Sequence, residues 1–220
     1  MIEIENLTKH YDSQSALDKI NINIKKGEMA FVTGPSGAGK TTLFKLLYLY
    51  EKPDAGSITI AGFNTSSMKE SLIPMLRRNI GVVFQDFRLL PNKTVFENIA
   101  LALRIRGAQE KTIKDKVANV LKMVNLRHKA DKYPLTLSGG EQQRITIARA
   151  IVGDPTVMLA DEPTGNLDID NEDIVMKIFK EINAKGTTVL IATHNIRLYK
   201  NSGRRVFFLE NGKLVDEVVG

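Results

Sequence analysis

Gly34-Pro35-Ser36-Gly37-Ala38-Gly39-Lys40-Thr41, followed by Thr42, has the spacing G-x-x-x-x-G-K-[ST]. Glycines at these positions let a loop fold tightly and turn its N–H groups toward phosphate oxygens, and a helix that follows adds its positive end. Lys40 is placed to reach the β- and γ-phosphates and the Thr41 hydroxyl to bind Mg²⁺, which points to ATP with Mg²⁺ as cofactors. Val157-Met158-Leu159-Ala160-Asp161-Glu162 is an apolar run ending in two carboxylates. Asp161 is the candidate for Mg²⁺ or its water, and Glu162, one residue farther, is the candidate base that polarises the attacking water.

Leu137-Ser138-Gly139-Gly140-Glu141-Gln142-Gln143-Arg144 opens a further helical pattern. Ser138 and Glu141 have capping-box spacing. A capping box does not call for glycine at the next two positions, where each costs roughly 1 kcal/mol relative to alanine. Bare amides at a helix start make a second phosphate clamp, and capping and phosphate contact are compatible. Gln85 and His194 each follow an apolar run and become candidates for orienting water and γ-phosphate if both runs end on one sheet edge; taken alone, either is an ordinary loop residue. Tyr11 is either packing or a platform for adenine.

These side chains need a scaffold, and the sequence predicts one. Ile20, Ile22 and Ile24 alternate with polar residues, and Met29 to Thr33 is an apolar run ending just before Gly34, so two or three strands precede the first long helix, Thr42 to Tyr50. Further strands are expected at Ser57–Ile60, Ile80–Phe84, Val157–Ala160, Thr187–Ala192, Val206–Leu209 and Lys213–Val218, with a short helix around Leu72 and Leu76. Ile113, Val117, Val120, Leu121 and Val124 recur at helical spacing within Gln109–Asn125, and a last long helix runs from about Asp168 to Ala184. Alternating strand and helix with a helical middle third gives an α/β core interrupted by a helical insertion.

The 220 residues are 43% hydrophobic and 25% charged, as in an ordinary globular chain, and contain no cysteine, which excludes a disulfide framework, Cys-ligated zinc and thiol catalysis. The acidic start Met1-Ile2-Glu3-Ile4-Glu5 predicts no secretion signal, and no apolar run approaches the roughly 20 residues of a membrane span. A net charge of +6 suits a polyanionic ligand, but the basic residues are scattered, so no nucleic-acid partner is expected.

The phosphate loop, Gln85, Leu137 to Arg144, Asp161-Glu162, Asp168 and His194 stand in the order found in ATP-binding cassette (ABC) ATPases, and the resemblance covers essentially the whole chain. It implies a P-loop α/β core with a mostly parallel sheet, an N-terminal antiparallel β subdomain and an inserted α-helical subdomain. It divides the single domain 1–220 into 1–85 and 155–220 (core) and 86–154 (helical). By position, Tyr11 resembles the adenine-stacking residue, Gln85 the metal- and water-contacting glutamine, Glu162 the base, Asp168 the acid across a dimer interface, and His194 the switch histidine. The family relation further implies a head-to-tail homodimer in which Ser138, Gly139 and Gly140 of one subunit cover ATP held by the other.

Within the family, Gly27 to Gly34 and Leu76 to Leu90 are most similar to the members that act in cell division. Those work with an integral membrane partner, which implies a peripheral place on the inner face of the plasma membrane and division-machinery proteins as further partners. Ala160 to Asp168 is shared with lipoprotein-release and macrolide-export ATPases, the alternative assignment. The run Leu47-Tyr48-Leu49-Tyr50 departs from the pattern, since relatives have smaller residues and a glycine there. A DNA-maintenance ATPase would need a long coiled coil where this chain has a compact insertion, and a kinase leaves the signature without a role. A docking surface for the membrane partner is expected near Gln85 to Phe96, with Phe87, Leu89 and Leu90 as its apolar residues.

Overall fold

The computed structural model describes residues 1–12 and 14–220. The chain begins with two long strands, β1 (Ile2–Tyr11) and β2 (Gln14–Ile24), followed by β3 (Met29–Thr33) and α1 (Lys40–Leu47). Next come β4 (Ala55–Ile60), β5 (Phe63–Asn64), α2 (Ile73–Asn79) and β6 (Ile80–Val83). The helical middle holds α3 (Val95–Arg104), α4 (Glu110–Met123) and α5 (Gly139–Ile151). The last part alternates again, with β7 (Val157–Asp161), α6 (Ile169–Ala184), β8 (Thr188–Ala192), α7 (Ile196–Tyr199), β9 (Arg205–Glu210) and β10 (Lys213–Val219).

Two sheets result. The smaller is antiparallel in the order β2-β1-β4-β5, and the larger runs β10-β9-β3-β8-β7-β6 with every pairing from β9 to β6 parallel. All five residues of β3 and of β8 are buried, and so are the first four of β7. Unbroken apolar runs are what a strand covered on both faces requires. Successive side chains of a strand point to opposite faces, so β3 sends Met29 and Phe31 into a core shared with α3 to α6. Its alternate residues, Ala30 and Val32, enter a second core shared with α1 and the antiparallel sheet.

The expected α1 is shifted. It starts at Lys40 rather than Thr42 and ends at Leu47 because Leu49 adopts a left-handed φ of 55°, which a helix cannot continue through. β1 reads poorly as a strand because its register with β2 slips between Ile4 and Leu7, next to Asn6 at φ 47°, and the slip breaks the alternation of apolar and polar residues.

Register places the site. Val32 lies opposite Ala192, Ala192 opposite Asp161, and Ala160 opposite Val83. Four neighbouring strands therefore end level, and the loops after them, carrying Gly34, His194, Glu162 and Gln85, stand in a row on the carboxyl edge of the sheet, where open α/β sheets bind ligands.

Candidate active site

Between β3 and α1 the chain passes through Gly39 at φ 102°, and a Cβ there would stand 2.6 Å from the Ala16 carbonyl oxygen. Left-handed backbone pressed against β2 leaves glycine as the residue that fits. Lys40, 8% exposed, folds back so that Nζ donates to the carbonyls of Gly34 at 2.6 Å and Pro35 at 3.0 Å. Pro35, Ser36, Gly37, Ala38, Gly39, Lys40, Thr41 and Thr42 line one cavity of about 560 Å³ together with Gln85, Glu162 and His194. Gly34 forms the foot of the loop and the support for Lys40. Ala16 also lines this cavity, and no feature of the sequence pointed to it.

Asp161 ends β7 beneath this loop. Burial pushes its carboxyl above the usual range, opposed by a hydrogen bond from the Thr41 hydroxyl and reinforced by the neighbouring Glu162 charge. Oδ1 is buried without a protein partner. An orphaned carboxylate oxygen beside a hydroxyl fits a hard cation. Among the described residues no group of three His, Cys, Asp or Glu could enclose a metal by itself. That suits Mg²⁺, which takes one or two protein ligands and completes its shell with phosphate and water oxygens.

Glu162 takes a left-handed φ of 47°, and its N–H donates to the Ala192 carbonyl at 2.9 Å. Such a backbone costs on the order of 1–3 kcal/mol in a residue other than glycine and persists only where its surroundings hold it. Here the carboxylate is held at both oxygens, Oε1 lying 2.8 Å from His194 Nδ1 and Oε2 accepting the His194 N–H at 3.4 Å. Base candidate and histidine thus form one unit, with the carboxylate half-buried and the imidazole open to solvent.

Ser138, Gly139, Gly140 and Asp168 form a separate group, and none of them lines the cavity around Lys40. The capping box is present: Ser138 Oγ accepts from Glu141 N–H at 3.3 Å, and Glu141 Oε2 accepts from Ser138 N–H at 2.9 Å. That backbone bond is the main reason the Glu141 carboxyl sits below its usual range. The two glycines differ. A Cβ on Gly140 would meet Asn171 Oδ1 at 2.2 Å, whereas one on Gly139 would only touch Phe87 at an ordinary 3.8 Å. Packing within the chain explains Gly140 and leaves Gly139, exposed beside Ser138, unexplained. Asp168 caps α6 by accepting from the Asn171 N–H at 2.9 Å, and that bond is the chief cause of its lowered carboxyl pKa.

Tyr11 stands outside the cavity. Its hydroxyl donates to Glu51, Lys45 and Lys9 lie 6.0 and 5.7 Å from its ring centre, and burial is the first cause of its raised pKa. Glu51, which the sequence did not single out, also pairs with Lys45 at 3.1 Å and so fixes the ring to α1. Beyond Gln85, Phe87 and Leu89 are half-buried while Leu90 is 42% exposed. The carbonyls of Phe87 and Arg88 accept from Arg149 of α5 at 3.0 and 2.6 Å.

Residues 17–165 match the model of the ABC transporter family. Over the whole chain the sequence is 49% identical across 222 residues to the cell division ATP-binding protein FtsE of Streptococcus pneumoniae, covering 100% of this chain and 96% of that protein. It is 51% identical to the FtsE of Bacillus subtilis (98% and 95% covered) and 46% identical to that of Escherichia coli (97% of each). Among solved structures, a dimeric bacterial ABC transporter cassette superposes with a TM-score of 0.91 at 35% identity, covering 100% of this chain and 98% of that one. The same cassette in a dimeric post-hydrolysis state bound to ADP and Pi superposes equally well.

Proposed function

This chain belongs to the ABC transporter family and is one of its ATPases, and from that premise we propose that it is the ATP-driven motor of a membrane complex that acts in cell division. In this reading two copies close head to tail over two ATP molecules and move an integral membrane partner of the FtsX type. The full-length identity of 46–51% to FtsE proteins supports the division reading. Among the described residues no helix is long and apolar enough to cross a membrane; in this reading contact with the bilayer is through the partner.

The observation that carries the chemistry is the row of level strand ends, which gathers Lys40, Gln85, Glu162 and His194 around one cavity with Asp161 beneath it. Lys40 exchanges the carbonyls of Gly34 and Pro35 for the β- and γ-phosphates, while the amides of Gly37 to Thr42 hold the remaining phosphate oxygens. Asp161 and Thr41 hold Mg²⁺, which when bound neutralises developing charge on the phosphates. Glu162, aimed by its backbone and by His194, accepts the proton of the attacking water, and Gln85 orients that water. A positioned base of this kind contributes about 10²–10⁴ in rate.

The exposed Ser138 and Gly139 supply the reason for a dimer. Gly139 is exposed and uncrowded, with only Phe87 at ordinary contact distance from a Cβ there, which leaves room for a phosphate from another copy, and Asp168 is exposed as well. Docking to the membrane partner uses the region after Gln85. Leu90 gives it open apolar surface.

Glu162→Gln is the test. Turnover is expected to fall below a hundredth of wild type with nucleotide binding retained and with ATP-dependent dimers accumulating in sedimentation. Wild-type turnover in this variant removes Glu162 from its role.

A further inference from the structure

Asn171, in the first turn of α6, is not among the residues that the family resemblance assigns a role. Its side chain nevertheless joins the two pieces that this chain offers to a partner's nucleotide. Asn171 Nδ2 donates to both oxygens of Asp168, at 3.0 and 2.9 Å, and its backbone N–H donates to Oδ1 of the same carboxylate at 2.9 Å. Its Oδ1 accepts from Nη1 of Arg144 on α5 at 3.2 Å. Gly140 is the position where α5 passes this amide, and a Cβ there would stand 2.2 Å from Oδ1. The N-cap bond holds Oδ1 of the exposed Asp168 carboxylate, and the side-chain amide adds a second contact to Oδ1 and one to Oδ2.

We propose that Asn171 is a positioning residue for hydrolysis in the opposite subunit. Its amide locks Asp168 in one rotamer and at a fixed distance from the signature helix, so that Ser138, Gly139 and Asp168 arrive at the partner's ATP as one rigid surface. The proposal rests on the head-to-tail reading above. A carboxamide suits the position because it offers a donor to Asp168 and an acceptor to Arg144 at once. A carboxylate of the same shape keeps the acceptor, loses both donors and places a like charge against Asp168. Gly140 gives the arrangement its second support, since a side chain there would push the amide away from α5.

The lock acts on the partner's site and leaves the chain's own phosphate loop untouched, which sets the test in the full-length protein. Steady-state ATP turnover is compared with the affinity of the monomer for a fluorescent ATP analogue in Asn171→Ala and in the isosteric Asn171→Asp. Both variants are expected to lose turnover about tenfold or more, as hydrogen bonds to a charged group are lost, while monomer affinity stays within about twofold of wild type. In a Glu162→Gln background, both are expected to weaken ATP-dependent dimerisation.

Wild-type turnover in Asn171→Asp overturns the proposal, because shape alone then suffices. Loss of monomer affinity in step with turnover overturns it too, because Asn171 then supports the fold in general. Absence of ATP-dependent dimers in Glu162→Gln with Asn171 intact sinks the head-to-tail reading itself and is a different result from either.

Discussion

Replacing Asp161 by asparagine should make the nucleotide-free protein more stable and the nucleotide-loaded protein less so. Oδ1 of Asp161 is buried with no partner, and burial raises the carboxyl pKa, with the Thr41 hydroxyl opposing and Glu162 reinforcing the shift. A folded-state pKa raised above the unfolded value means that the folded state binds the proton more tightly. Relative to a neutral side chain, the penalty is absent below the unfolded value of about 3.9 and grows as pH rises through the folded pKa. An unsatisfied buried polar group costs about 1–3 kcal/mol. Asp161→Asn keeps a polar atom at that position and removes only its charge, so it should recover the lower end of that range, about 1 kcal/mol at pH 7, and at about 2–4 °C per kcal/mol for a domain of this size the Tm should rise by about 2–4 °C. With Mg²⁺-ATP at a hundredfold excess over Kd, wild type gains about 2.7 kcal/mol by mass action. The variant should lose most of that gain, and the order of the two Tm values should reverse. Thermal melts followed by circular dichroism between pH 4 and pH 8, with Mg²⁺-ATP and with chelator, read all of this. A variant that melts below wild type at pH 7 without nucleotide refutes the reasoning, as does a stability gain that does not shrink toward pH 4.

Two further outcomes separate structural from catalytic roles. Ser138→Ala removes the N-cap of α5 and should destabilise the fold by about 1 kcal/mol in urea titration, while turnover falls much further than that loss explains; a turnover change no larger than the stability change would leave capping as the whole role of Ser138. Arg149→Met removes the donor to the Arg88 carbonyl and leaves the Phe87 carbonyl with the Thr146 hydroxyl alone, and should cost about 1–3 kcal/mol. Arg149→Lys should not restore it, because an ammonium cannot fork to two carbonyls as a guanidinium does; full rescue by lysine, measured in the same titration, contradicts this.

Much of the site was legible in the sequence because its chemistry is local. The phosphate loop is contiguous, and Asp161-Glu162 and His194 follow apolar runs that burial on both faces demands. What the sequence could not express is proximity between distant segments. Ala16 becomes a wall of the cavity because β2 presses on Gly39, and Glu51 matters because Tyr11 folds onto α1. The start of α1 was misplaced because its N-cap, Gly39, has no side chain to signal it. Gly139 and Gly140 look equivalent in the sequence and differ in the fold, one crowded by Asn171 and the other open. The role of Asn171 had no local signal at all, since α5 and α6 meet through it only after both have packed.

The place of β3 in the larger sheet has a consequence for biosynthesis. This strand carries the phosphate loop and is made early, yet its neighbours in the sheet are β8 and β9, near the other end of the chain. At about 5–20 residues per second, the stretch between β3 and β8 takes on the order of ten seconds to translate. Throughout that interval the loop is complete in sequence but lacks the strands that hold it, and an apolar segment with open edges is the kind that chaperones retain and aggregates recruit. A ribosome stalled anywhere before β8 should therefore carry a chain that cannot grip ATP, and competence should appear abruptly once β8 and β9 emerge.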